Sequence, residues 1–125
     1  MKKPDQNPKT AFGTKKVPFH YIPSTAMIPF GLAMEDGAIK YGPFNWREDP
    51  ITASIYVDAA DRHLKAWFDG EDCASDSGIH HLGHAMACCA ILIDAMAHGY
   101  MRDDRTGHGV FSALMEEERK KRSGE

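Results

Sequence analysis

Asp36, Lys40, Asn45, Trp46 and Arg47 lie within one short stretch, Asp-Gly-Ala-Ile-Lys-Tyr-Gly-Pro-Phe-Asn-Trp-Arg, running from Asp36 to Arg47. Arginine presents a planar fork to phosphate oxygens, lysine a compact point charge, and Trp46 or Tyr41 a flat surface on which a ring can stack. The stretch therefore suits a phosphorylated, ring-bearing ligand. The competing reading is a loop that Trp46 anchors to the core while its charges stay wet. Arg62 and His63 add a second cationic pair.

The acids are the second chemical signal. Asp58 and Asp61 are three apart, the helical spacing at which two carboxylates share a face and can share a divalent cation. The same face also reads as two ordinary ion pairs, Asp58 with Arg62 and Asp61 with Lys65. Glu35 and Asp36 stand toward the carboxyl end of a predicted helix, where the macrodipole disfavours them unless a cation such as Lys40 is near. Glu71, Asp72 and Asp76 follow in a connector, and hard oxygen donors of this kind suit magnesium or manganese rather than zinc.

Histidine is the third signal, with His80, His81 and His84 close together and Cys88 one turn later. His81, His84 and Cys88 form a zinc-like set with no evident fourth ligand. Equally open are core histidines satisfied by carboxylates such as Asp58, or partners to phosphate and water beside bound metals.

Positioning these groups requires helices. Residues 1–24 hold Pro4, Pro8, Pro18 and Pro23 and are expected to run as an extended arm, ahead of a helical core over 25–105 and a charged helix and tail over 106–125. Within the core, a first helix is predicted over Ala26 to Lys40, capped by Ser24 or Thr25, with Pro29 in its opening turn and Gly42-Pro43 as its stop. A second spans Thr52 to Phe68, with Tyr56, Ala60, His63 or Leu64, and Trp67 along one stripe. A third starts from a cap at Asp76 or Ser77 and ends near Gly99. Its Leu82, Met86, Cys89, Ile93 and Met96 repeat as in a helix packed inside a bundle. A charged terminal helix covers Phe111 to Arg122.

The 125 residues allow one domain, all-α, whose core is completed by oligomerisation. A net charge of -3 provides no basic footprint for nucleic acid. No stretch has the roughly 18 apolar residues of a membrane span, and Met1 to Lys16 lacks an apolar leader core, so a cytoplasmic protein is expected. Cys73, Cys88 and Cys89 are odd in number and read as reduced, mostly buried thiols.

Four groups of residues carry a resemblance. They are Gly37-Ala38-Ile39-Lys40-Tyr41-Gly42 with Asn45-Trp46-Arg47, Tyr56 to His63, Gly70-Glu71-Asp72, and Asp76-Ser77-Gly78 with His81. Over about residues 13–105 the chain resembles the phage dATP/dGTP diphosphohydrolases, which are similar to the MazG-like all-α nucleoside triphosphate pyrophosphohydrolases. The resemblance implies a helical bundle working as a homodimer or homotetramer, holding two or three Mg2+ or Mn2+ ions. It implies cleavage of a purine (d)NTP, (d)GTP foremost, to (d)NMP and pyrophosphate, in phages that replace adenine by 2-aminoadenine. Glu35, Asp36, Asp58, Asp61 and Glu71 would hold the metals, and Lys40, Asn45, Trp46, Arg47, Arg62 and His63 the substrate. The family pattern is Glu-x-x-Glu on one helix and Glu-x-x-Asp on a later one. Asp58-Ala59-Ala60-Asp61 would stand for the first and His81-Leu82-Gly83-His84 for the second. Histidine in place of acid is a departure, so Glu35, Asp36 and Glu71 are the alternative to His81 and His84 as completing ligands. A histidine-aspartate phosphohydrolase is disfavoured because no His-Asp dipeptide occurs. A non-enzymatic, zinc-stabilised helical module is the remaining rival.

Overall fold

The computed structural model describes residues 3–125 and is all-α. Its elements in order are α1 (Pro8–Gly13), α2 (Ser24–Tyr41), β1 (Ile51–Thr52), α3 (Ala53–Phe68), α4 (His81–His98), β2 (Met101–Arg102) and α5 (Val110–Ser123), with single 3-10 turns at Phe19–Tyr21 and Asn45–Arg47. The arm is therefore not wholly extended. Asn7 caps α1 by accepting the Lys9 N–H at 2.9 Å, and Pro8 occupies the first helical position, where its missing N–H costs nothing.

Two other helix starts also differ from expectation. Ser24 and Thr25 lie inside α2, and Pro23 occupies the cap position without a side-chain bond. For α4 the cap is His80, whose ring Nδ1 accepts the Leu82 N–H at 3.1 Å. Asp76 and Ser77 belong instead to the preceding turn, which an antiparallel bridge between Cys73 and His80 closes.

The central element is α4, with α3 packed on one side and α2 on the other. Its buried residues are His81, Gly83, Ala85, Ala87 and Ala95, all but the first small. Small side chains let both neighbours come close. At Gly83 a Cβ would stand 2.4 Å from the Pro29 carbonyl oxygen, so only glycine fits where α2 crosses. The large apolar stripe expected to be packed is largely turned out, with Cys89, Ile93 and Met96 exposed. Cys73 is exposed as well, Cys88 is half-buried, and all three thiols are free.

Below α4, Trp46, Ile51 and Ala95 form the core, flanked by Met34, Tyr56, Ile91, Leu92 and Met101. The two short strands pair in parallel, Ile51 with Met101 and Thr52 with Arg102, tying the loop after α2 to the end of α4. This tie gives the Asn45–Arg47 turn a fixed floor. Residues 102–125, including all of α5, are exposed. Among the described residues no helix is long and apolar enough to cross a membrane.

Candidate functional site

α2, α3, α4 and the loop after α2 surround a cavity of about 470 Å3. Helical spacing explains its walls. On α2, Asp36 and Lys40 are one turn apart, and the Lys40 Nζ lies 2.9 Å from Asp36 Oδ2. On α3, Tyr56, Ala59 and His63 turn inward at three- and four-residue steps, while His84, Cys88 and Ile91 do the same on α4. Asp76 reaches the cavity from the connector, which is held by Ala74 N–H to the Ile79 carbonyl at 2.9 Å and Gly78 N–H to the Ala74 carbonyl at 2.8 Å.

Asp36, Lys40, Asp76 and His84 share one electrostatic field. Asp76 accepts the Ser77 N–H at 2.8 Å, and that bond, helped by Lys40 and His84, holds its carboxyl below the usual range. Lys40 is raised, first by its hydrogen bond to Asp36. His84 is lowered by burial, with Asp36 and Asp76 opposing the shift. Burial also raises the Cys88 thiol, which disfavours the thiolate that zinc binding needs.

Beside this field runs a chain of histidines. His81 Nε2 lies 2.6 Å from Glu71 Oε1, and His81 Nδ1 lies 2.9 Å from His63 Nδ1. The His63 ring stacks on His84, with centroids 4.7 Å apart and planes 15° apart. His84 Nε2 in turn lies 2.8 Å from the Ser77 hydroxyl. The carboxylate that satisfies the core histidine is thus Glu71, not Asp58.

Four aromatic rings, Tyr41, Phe44, Trp46 and Tyr56, line the cavity, and Phe44 adopts φ 54°, a left-handed conformation that bulky residues rarely take. Trp46 is buried, its Nε1–H donating to Asp94 Oδ2 at 2.7 Å. Arg47 donates to the same carboxylate through Nε at 2.8 Å and Nη2 at 2.9 Å, and its guanidinium lies 4.5 Å from the Phe44 ring centroid. Arg47, Trp46 and Asp94 thereby hold Phe44 in place.

Of the residues singled out from sequence, Glu35, Asp36, Lys40, Asn45, Trp46, His63 and His84 line this one cavity. The others do not. Arg47 faces Asp94, and Arg62 is exposed. Asp58 lies on a separate surface near Asp104 and Arg105, and Asp61 on another with Lys65 and Phe68. Glu71 and His81 are not in the wall but connect to it through His63. Asp76, expected both as a helix cap and as one of the connector acids, is on the cavity wall, while Phe44 and Asp94 are not singled out by sequence. Asp94 is a single acid in an apolar run, and its partners lie 47 and 48 residues away, so spacing carries no trace of the contact.

Among the described residues no three His, Cys, Asp or Glu side chains converge as a preformed metal cage, and the set of His81, His84 and Cys88 is not assembled. Asp36 and Asp76, on the wall of one cavity and acting on the same Lys40 and His84, fit a lesser demand. Magnesium is commonly held by one or two carboxylates while phosphates and water supply the rest.

The family model described as dATP/dGTP diphosphohydrolase, N-terminal, matches residues 6–105. The chain belongs to this family. It is accordingly a hydrolase acting on acid anhydrides, with a nucleoside triphosphate as its class of substrate. The family match contains every residue of the cavity wall and stops short of α5. No curated protein and no solved structure matches the chain.

Proposed function

We propose that the cavity binds a purine nucleoside triphosphate, (d)GTP foremost, and hydrolyses it to the nucleoside monophosphate and pyrophosphate with the help of Mg2+ or Mn2+. The observation that carries this reading is one cavity lined by acids and a lysine from α2 and the connector and by four aromatic rings. The aromatic side suits a base and the charged side a polyphosphate.

Lys40 supplies the point charge for the phosphates, and it is exposed enough to leave Asp36 for a ligand. Phe44 and Tyr41, both exposed, offer stacking faces for the base. Asn45, on the cavity wall, would offer hydrogen bonds to the base or sugar, and Trp46 would support the wall by its ring, since its N–H is taken by Asp94. Asp36 and Asp76, with Glu35 at the rim, are the residues that would hold a divalent ion. Such an ion, when bound, neutralises phosphate charge and acidifies its water.

The resemblance to MazZ, the (d)GTP-cleaving enzyme of phages that replace adenine by 2-aminoadenine, supports guanine as the base and supply of dGMP as the role. Incubation with dGTP and Mn2+, with the products resolved, tests the reading. Deoxyguanosine monophosphate and pyrophosphate support it. Deoxyguanosine and triphosphate, or no turnover together with stoichiometric zinc, overturn it.

A further inference from the structure

The proposed reaction leaves Glu71, His81 and His63 without a task, although they form a hydrogen-bonded chain that leads from exposed Glu71 to the cavity wall. Their hydrogens are constrained. Glu71 as a carboxylate only accepts, so the 2.6 Å contact places a hydrogen on His81 Nε2. His81 is buried, and as a neutral imidazole with its hydrogen on Nε2 it carries a lone pair on Nδ1. The 2.9 Å contact between the two Nδ1 atoms then needs its hydrogen on His63. His63 Nε2 is left bare. It has no hydrogen-bond partner, yet no buried side-chain nitrogen or oxygen lacks one among the described residues, so this nitrogen is accessible, on a ring that lines the cavity.

Resting on the reading above, we propose that Glu71 and His81 are positioning residues that hold His63 in the Nδ1–H tautomer, and that His63 Nε2 takes the proton of the water attacking the α-phosphorus. As the water oxygen bonds to that phosphorus, one of its protons passes to Nε2. The bond from the phosphorus to the α,β-bridging oxygen breaks, and pyrophosphate leaves with the electron pair. The imidazolium then returns its proton to the released pyrophosphate or to bulk water. A base oriented by a second group and a carboxylate behind it is a recurrent solution for activating a nucleophile. Burial holds His63 below the usual histidine range, seconded by His84, His81 and Arg62 and opposed by Asp76, which keeps the ring neutral near pH 7.

Long-range proton–nitrogen correlation spectra of the 15N-labelled full chain at pH 8 read the tautomer without substrate, with the His63 signals assigned by their loss in His63→Gln. The expected result is a hydrogen on Nδ1 in the wild type and a mixture of tautomers in Glu71→Ala. In turnover of dGTP, His63→Gln should lower kcat about 100-fold or more with KM changed little. Glu71→Ala should lower kcat about 10-fold, with Glu71→Asp recovering part of the loss. A wild-type His63 carrying its hydrogen on Nε2, or Glu71→Ala with wild-type kcat, overturns the proposal. Production of dGMP and pyrophosphate alongside an Nε2–H tautomer sinks this inference alone. Absence of those products sinks the reaction itself, while the spectra still decide the tautomer.

Discussion

Two carboxylates anchor two networks in this small fold, and they end differently. Asp94 receives Trp46 Nε1–H and the Nε and Nη2 arms of the Arg47 fork, a knot closed on one carboxylate. Glu71 starts a chain through His81 to His63, a ring on the cavity wall whose second nitrogen has no partner. A closed knot can only hold, whereas an open-ended chain has one group left to offer a ligand or a proton. Both sit beside the same cavity, so proximity alone does not separate scaffold from chemistry. The count of satisfied donors and acceptors does.

The sharpest way to break this contrast is to remove the two termini. His63→Ala is expected to lower kcat about 100- to 1000-fold while the thermal midpoint moves little, as read by steady-state kinetics and calorimetry. A kinetic loss that merely followed a loss of folding would make the open chain as structural as the knot. Next in size is the pair Asp36→Asn and Asp61→Asn. Because only Asp36 lines the cavity, its exchange should cost at least about tenfold more in kcat/KM than that of Asp61. Equal losses would return the site to the outer face of α3.

Asp94→Ala should act in the opposite sense, lowering the unfolding midpoint by roughly 5 °C or more, since a buried indole N–H and a guanidinium lose their acceptor. Any fall in kcat should stay within a few-fold and recover when the assay is cooled. A loss of more than about 100-fold at full folding would place Asp94 in the chemistry instead.

The smallest expected effect is the separation of the two networks by pH. Burial holds the folded His63 below the usual histidine value of about 6.5, so the unfolded chain binds more protons between the two values. This share of stability therefore falls as pH drops below about 6.5, and activity falls at lower pH, as the folded ring, held down first by burial, itself takes up a proton. Asp94 is depressed by its bonds from Arg47 and Trp46, so its contribution is present above 3.8 and is lost only as pH falls through its lower folded value. Activity and unfolding profiles from pH 8 to pH 3 should show the catalytic loss first. A single coincident transition would merge the two networks.

The helices were legible because their signals are local. α2 is within two residues of the expected Ala26–Lys40, α3 within one of Thr52–Phe68, and α5 within one of Phe111–Arg122. The cluster from Asp36 to Trp46 was legible for the same reason, since a helix turn and the loop after it keep neighbours in sequence close in space. Faces were harder. On α4 the largest apolar residues form a regular stripe, but the packed surface is the one whose side chains are small enough to admit two neighbouring helices, and Gly83 under Pro29 marks the closest approach.

Residue types and spacing by themselves determined an all-α chain and drew attention to acids, a lysine, aromatics and histidines in the right order. Which acids meet was decided by packing. Asp58 and Asp61 have the better helical spacing, yet neither lines the cavity: Asp58 lies on a surface with Leu92 and Met96 of α4, and Asp61 on one with Lys65 and Phe68. Asp36 and Asp76, on separate elements, meet the same lysine and histidine because α2 and the connector both close over α4. Helical periodicity fixes which residues share a face, but only the burial of that face against other helices selects the side that becomes the inside.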